Sequence, residues 1–156
     1  MVNVSQVIAK KWVDAKISGS IVNVSSQASL VGMPLHTSYG ASKAAMDQIT
    51  RVMAAELGPF QIRTNAVNPT VTLTPMGAEF WGKSPEKADK MKSRIPLGKF
   101  AGQYIRRYTT YLVFKLWIHF LLEPGDVVDG IIYLLSDNAR MINGIVLPID
   151  GGFTAC

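Results

Sequence analysis

The chain has 156 residues, 48% of them hydrophobic, and 16 Lys and Arg against 11 Asp and Glu give a net charge of +5. That is one domain's length, enough to bury a core, and 17% charged residues is too few for a disordered tail. The lone cysteine, Cys156, excludes a disulfide framework and a cysteine-based zinc site, so no metal site is expected, and it suits the cytoplasm. No run of about 18 apolar residues occurs, which predicts no ordinary transmembrane helix. The opening stretch also lacks the basic-then-apolar profile of a secretory signal.

Residues 2–16 place Val4, Val7, Ile8, Trp12 and Val13 at helical spacing with lysines between, which predicts an amphipathic helix. Ser18-Gly19 breaks that pattern, and Ser20 to Ser25 reads as a short buried strand rich in β-branched residues. After a loop with Gly32 and Pro34, a long helix is predicted over Ser38 to Leu57. Its small and apolar face is Ala41, Ala44, Ala45, Ile49, Val52 and Met53, and Gly58-Pro59 closes it. Ile62 to Asn68 reads as a second strand, which Pro69 is expected to end for want of an N–H. Residues 70–98 are irregular, with short helical pieces between Pro75, Pro85 and Pro96. A helix over Asp126 to Ser136, with Pro124 in its first turn, leads to a last strand over Gly144 to Ile149. Strands alternating with helices imply an α/β fold, a parallel sheet covered on both faces.

The stretch Ile21 to Lys43, IVNVSSQASLVGMPLHTSYGASK, carries the chemistry. Tyr39 and Lys43 are four residues apart on one helix and share a face. A tyrosine hydroxyl is ordinarily a poor proton donor at neutral pH, and a nearby ammonium favours its phenolate. Ser26, at the end of a buried strand, can direct its hydroxyl to the same point. Two hydroxyls converging on a carbonyl oxygen can bind it, polarise it and protonate it while a hydride arrives at carbon. Tyr-x-x-x-Lys alone is a common surface pair. The ordered context of strand, Ser-Ser, Tyr-x-x-x-Lys, long helix, strand and Asn-Pro is what gives it weight.

These segments, with ELGPFQIRTNAVNPTV, TPMG, RIPLGKFA, IIYLLSD and the GGF-x-AC ending, resemble the C-terminal part of a short-chain dehydrogenase/reductase. Within that family they are most similar to the dicarbonyl and L-xylulose reductases. The resemblance implies a doubly wound, Rossmann-like domain acting as an NADPH-dependent carbonyl reductase on small dicarbonyls and ketoses such as L-xylulose, giving xylitol. It implies that Ser26 orients the substrate carbonyl, that Tyr39 is the general acid/base, and that Lys43 binds the nicotinamide ribose and tunes Tyr39. Asn68, Pro69, Thr70 and Val71 match the segment lining the nicotinamide, and Thr74 would reach toward the phosphates. Thr70 stands where many members have glycine. Gln27, His36 and Trp81 match positions that contact a small polar substrate. They also have plain readings, as a loop hydrogen-bonder, a solvated histidine and a packing aromatic. A homo-oligomer built through helices 2–16 and 38–57 is the family tendency, with no nucleic acid and no membrane span.

Two departures matter. No glycine-rich βα turn is present, and the family's asparagine of the catalytic set has no counterpart, since Asn3 does not align with it. The chain is therefore expected to be a single partial domain, 1–156, lacking its nucleotide-binding half and inactive alone. The alternative is a non-catalytic truncated isoform that binds related subunits. The second departure is Gly102 to Leu122, whose removal joins KFA to EPGDVVDGIIYLLSD as continuous family sequence. The block carries Arg106, Arg107 and Lys115 without an acid, so the positive excess is largely its own and gives no case for nucleic acid. It reads as translated intron or an alternative exon, with a membrane-surface helix and a partner-binding element as the other possibilities.

Overall fold

The computed structural model describes residues 1–102 and 125–156. The block 102–122, apart from Gly102, lies outside the described residues, as does Pro124. Among the described residues the helices are α1 (Val2–Ala15), α2 (Thr37–Leu57), α3 (Pro75–Gly82), α4 (Pro85–Lys92) and α5 (Gly125–Leu135). The strands β1 (Gly19–Val24), β2 (Ile62–Pro69) and β3 (Val146–Ile149) form one parallel sheet in that order. Gly19 to Val24 lie opposite Ile62 to Val67, and Ala66 to Pro69 lie opposite Val146 to Ile149.

Parallel neighbours need crossover connections, and α2 supplies the first of them. Successive residues of β2 point to opposite faces of the sheet. Val67 enters a core with Val127, Leu134 and Ala139 on the α5 side, joined by Val22, Ile131 and Leu147. Asn68 turns to α2 on the other side. A second core of Ala88, Met91, Ile95, Phe100 and Phe153, flanked by Val31, Met33, Val71, Leu73 and Trp81, joins α3 and α4 to the carboxyl ends of the strands.

Three expectations need correction. Pro69 is the last residue of its strand, not the first beyond it, because it pairs opposite Ile149 and the next amide, Thr70 N–H, donates to Ile149 O at 3.1 Å. The N–H groups of Ala66 and Thr70 both point to the β3 side. A donor at Pro69 would therefore face the other way, beyond the end of β1, and none is missed. β1 is only half-buried, with Asn23 its one buried residue, because it lies at an edge of the described sheet. The largest difference is in α2. Its buried residues are Asp47, Thr50 and Ala54, while Ala41, Ala44, Ala45 and Val52 are exposed. The face toward the sheet is polar because the sheet answers it with hydrogen bonds, Asn23 Nδ2 to Thr50 Oγ1 at 2.8 Å and Asn68 Nδ2 to Asp47 Oδ2 at 3.0 Å. α1 behaves likewise, burying Ser5 and Ala9 and exposing Val4 and Val7.

Candidate active site

The site is built where β1 ends and α2 begins. Ser25 N–H closes the ladder onto Val67 O at 2.8 Å, and the chain then turns through a short 3-10 segment, Gln27–Ser29. Ser26 caps that turn, its Oγ accepting from Ala28 N–H at 3.2 Å. Tyr39 lies in the first turn of α2 and is 45% exposed. One turn later Lys43 Nζ donates to Val24 O at 2.9 Å and stands 5.7 Å from the Tyr39 ring centroid. Ser25 Oγ donates to Lys43 O at 3.1 Å, so β1 and α2 are tied from both directions.

Gly40 permits the close approach. A Cβ there would lie 2.9 Å from Ala28 O, so a bare backbone is what lets the Ser26 turn sit against the first turn of α2. Ser26 and the helix turns carrying Tyr39 and Lys43 are thereby brought to the carboxyl end of a parallel strand, where ligands of open α/β sheets bind.

The other predicted residues fall into two groups. Gln27 is buried, its Nε2 3.9 Å from Met33 Sδ and its Oε1 without a partner among the described residues. His36 immediately precedes α2, exposed, with Nδ1 2.7 Å from Pro34 O and its ring edge-on to Tyr39 at 6.1 Å. Both belong, with Ser26, to the β1–α2 connection that leads into the helix bearing Tyr39 and Lys43. Trp81 packs on Phe100 and Phe80, at 5.3 and 5.4 Å between centroids, in the second core that Met33 also joins.

Asn68 is fully buried and its amide is committed to Ser26 O, Ser29 Oγ and Asp47 Oδ2. Its Oδ1 is buried and has no partner among the described residues. Pro69 remains in the ladder. Thr70 is buried with Oγ1 unpartnered among the described residues, and Val71 O accepts from Ala101 N–H at 3.0 Å. Thr74 caps α3, its Oγ1 accepting from Gly77 N–H at 3.1 Å, which leaves the hydroxyl proton to donate. Among the described residues no group of three His, Cys, Asp or Glu could hold a metal, and no helix is long and apolar enough to cross a membrane.

A sequence-family model described as enoyl-(acyl carrier protein) reductase matches residues 1–115. The L-xylulose reductase of Mus musculus is 46% identical over 155 residues, covering 99% of this chain and 54% of that protein. The NADPH carbonyl reductase 2 of Sus scrofa is 40% identical over 152 residues, covering 97% of this chain and 53% of its own length. Among solved structures, a 4-hydroxyisoleucine dehydrogenase complexed with NADH superposes with a TM-score of 0.81 at 33% identity, over 99% of this chain and 55% of its own. The chain belongs to the short-chain dehydrogenase/reductase family.

It spans about half the length of the curated relatives it matches. The family is one of oxidoreductases with Rossmann-like sheets, and the three-stranded parallel sheet and its helices are part of that architecture. What the sequence did not single out is the polar layer beneath the candidate site. Asp47, Thr50, Asn23 and Ser29 hold the Ser26 turn and α2 together from inside the fold. A signal was present: Tyr39, Lys43 and Asp47 recur every four residues, so a carboxylate shares the face of Tyr39 and Lys43.

Proposed function

We propose that this chain carries the substrate-facing wall of an NADPH-dependent carbonyl reductase, transferring hydride to small dicarbonyls and ketoses such as L-xylulose, with xylitol as product. The observation that carries this is the gathering of Ser26, Tyr39 and Lys43 at the end of β1, with Lys43 Nζ anchored on Val24 O. The names of relatives at 40% to 46% identity, L-xylulose reductase and NADPH carbonyl reductase, support the same substrate and cofactor.

The residues present fit the nicotinamide end of NADP(H). Thr70 Oγ1 is an orphaned buried hydroxyl in the segment Asn68–Val71, Lys43 can reach ribose hydroxyls, and Thr74 has a proton to offer a phosphate. Bound there, the cofactor supplies the hydride. Ser26 Oγ already accepts from Ala28 N–H, so its own proton is left to bind the carbonyl oxygen. Tyr39 gives that oxygen its hydroxyl proton as the carbon is reduced, with Lys43 Nζ 5.7 Å from its ring centroid. Gln27 Oε1 and His36 suit the hydroxyl groups of a sugar-like substrate, with Trp81 as an apolar wall. The chain holds no glycine-rich loop for a pyrophosphate, so we expect no turnover from these 156 residues alone. Wherever a preparation oxidises NADPH with a small α-dicarbonyl, Tyr39→Phe should abolish turnover while leaving the fold intact; retained turnover would sink the mechanism.

A second element of the proposal is association of like chains through α1 and α2. These helices line a groove of about 860 Å³ with Val2, Ala9, Val13, Ile49, Val52 and Met53, of which Val2 and Val52 are exposed and Ala9 is buried. The same groove favours the alternative reading, a non-catalytic isoform that binds related subunits. A cytoplasmic location is consistent with a single unpaired cysteine.

A further inference from the structure

We propose that Asp47 is a positioning residue of the site: through the Asn68 amide it fixes the Ser26–Ser29 turn, and with it the Ser26 hydroxyl, against the Tyr39–Lys43 face of α2. The functional half of this statement rests on the reading of Ser26, Tyr39 and Lys43 given above.

Asp47 is only 3% exposed, in the middle of a helix face that otherwise buries Thr50 and Ala54. A buried carboxylate is costly to keep, and an apolar residue would pack there at less cost. Its partner among the described residues is Asn68 Nδ2 at 3.0 Å on Oδ2, while Oδ1 has none. The carboxylate is thus poorly compensated, which argues against stability as its reason for being there.

What it does is orient Asn68. Asn68 Nδ2 faces three acceptors, Ser29 Oγ at 2.6 Å, Ser26 O at 2.9 Å and Asp47 Oδ2 at 3.0 Å. Turning the amide over would aim Oδ1 at all three, and the one charged acceptor makes that most unfavourable. Held this way round, Asn68 clasps the turn. Ser29 Oγ donates to Ser26 O at 2.7 Å, so Asn68 and Ser29 grip the Ser26 carbonyl together, while Ser26 Oγ takes the Ala28 amide. The backbone and the hydroxyl of Ser26 are therefore fixed by a chain of contacts that starts on the helix bearing Tyr39 and Lys43. Any rotation of the Ser26 hydroxyl relative to Tyr39 must break it.

The test is amide hydrogen exchange on the 156-residue chain, which needs no turnover. Asp47→Leu keeps the bulk and removes the acceptor, whereas Asp47→Asn keeps an oxygen acceptor. In Asp47→Leu the Ala28 and Ser29 amides should exchange about tenfold faster or more, with β2 and the C-terminal half of α2 within about threefold of the parent; in Asp47→Asn all should stay within about threefold. Parent rates at Ala28 and Ser29 in Asp47→Leu would overturn the proposal. Equal acceleration throughout α2 and β2 would overturn it too, by making Asp47 a plain stabiliser of the fold. If Asp47→Leu does not fold, the smaller Asp47→Ser is read by the same outcomes. In a preparation that turns over, Asp47→Leu should lower kcat about tenfold at unchanged KM, and lower it no further in a Ser26→Ala background. A Tyr39→Phe variant that keeps its turnover would remove the catalytic reading and leave the exchange result to stand or fall separately.

Discussion

Replacing Gly40 by alanine sets two effects of opposite sign against each other. Alanine is favoured over glycine inside a helix by about 1 kcal/mol. Against that, the new Cβ would lie 2.9 Å from Ala28 O, and both sides of the contact are backbone. Restoring an ordinary separation of about 3.4 Å asks for a shift of about 0.5 Å of the Gln27–Ser29 turn or of the first turn of α2, and overpacking of this kind costs about 1–3 kcal/mol. The net is a loss of about 1 kcal/mol, or about 2–4 °C in Tm for a chain of this size. Gly82→Ala is the control, because nothing lies within 4 Å of its Cβ position. Thermal unfolding followed by circular dichroism should show Gly40→Ala melting lower than the parent and Gly82→Ala equal or higher. In an active preparation the same half-ångström between Ser26 and Tyr39 should cost about tenfold in kcat. A Gly40→Ala variant as stabilised as Gly82→Ala would refute the close-approach reasoning.

Asp150 is buried and accepts from Gly152 N–H, Thr154 N–H and Thr154 Oγ–H at 2.9, 2.9 and 2.6 Å. Asp150→Ala should cost about 3 kcal/mol, read as a Tm lower by about 6–12 °C. We infer that residues 102–122 are an insertion, and their deletion should leave Tm unchanged or raised. Gly102, the first residue of the block, already lies beside α5, its N–H donating to Asp126 Oδ2 at 3.0 Å, so Ala101 ends close to that helix, and a chain unfolded by the deletion would contradict the inference. Val52→Glu, on the exposed face of α2, should shift sedimentation toward the monomer with no fall in Tm of the monomer itself; an unchanged oligomer would remove α2 from the interface.

Periodicity located α1, α2, α5 and the three strands to within two residues, because β-branched runs and helical spacing are local properties, whereas α3 and α4 were legible only as short helical pieces among the prolines. It did not show which side of α2 is inside. Ile49, Val52 and Met53 are the hydrophobic signal, yet Asp47 and Thr50 face the sheet, since β1 and β2 present Asn23 and Asn68 to them. A buried polar stripe is satisfied by partners tens of residues away, which no window along the chain can see. The candidate trio stood out in the sequence because Tyr39 and Lys43 are four apart and Ser26 ends a strand. That Asn68 spends its side chain under Ser26 was not, for its neighbours Pro69 and Thr70 suggested only a cofactor-lining segment.

The most direct test joins this chain to the portion of the Mus musculus L-xylulose reductase that it does not cover, and measures NADPH oxidation with a small α-dicarbonyl beside the Tyr39→Phe variant. The account predicts turnover in the fusion and its loss in Tyr39→Phe. A folded fusion that binds NADPH but turns nothing over, or one in which Tyr39→Phe is as active as its parent, would contradict it.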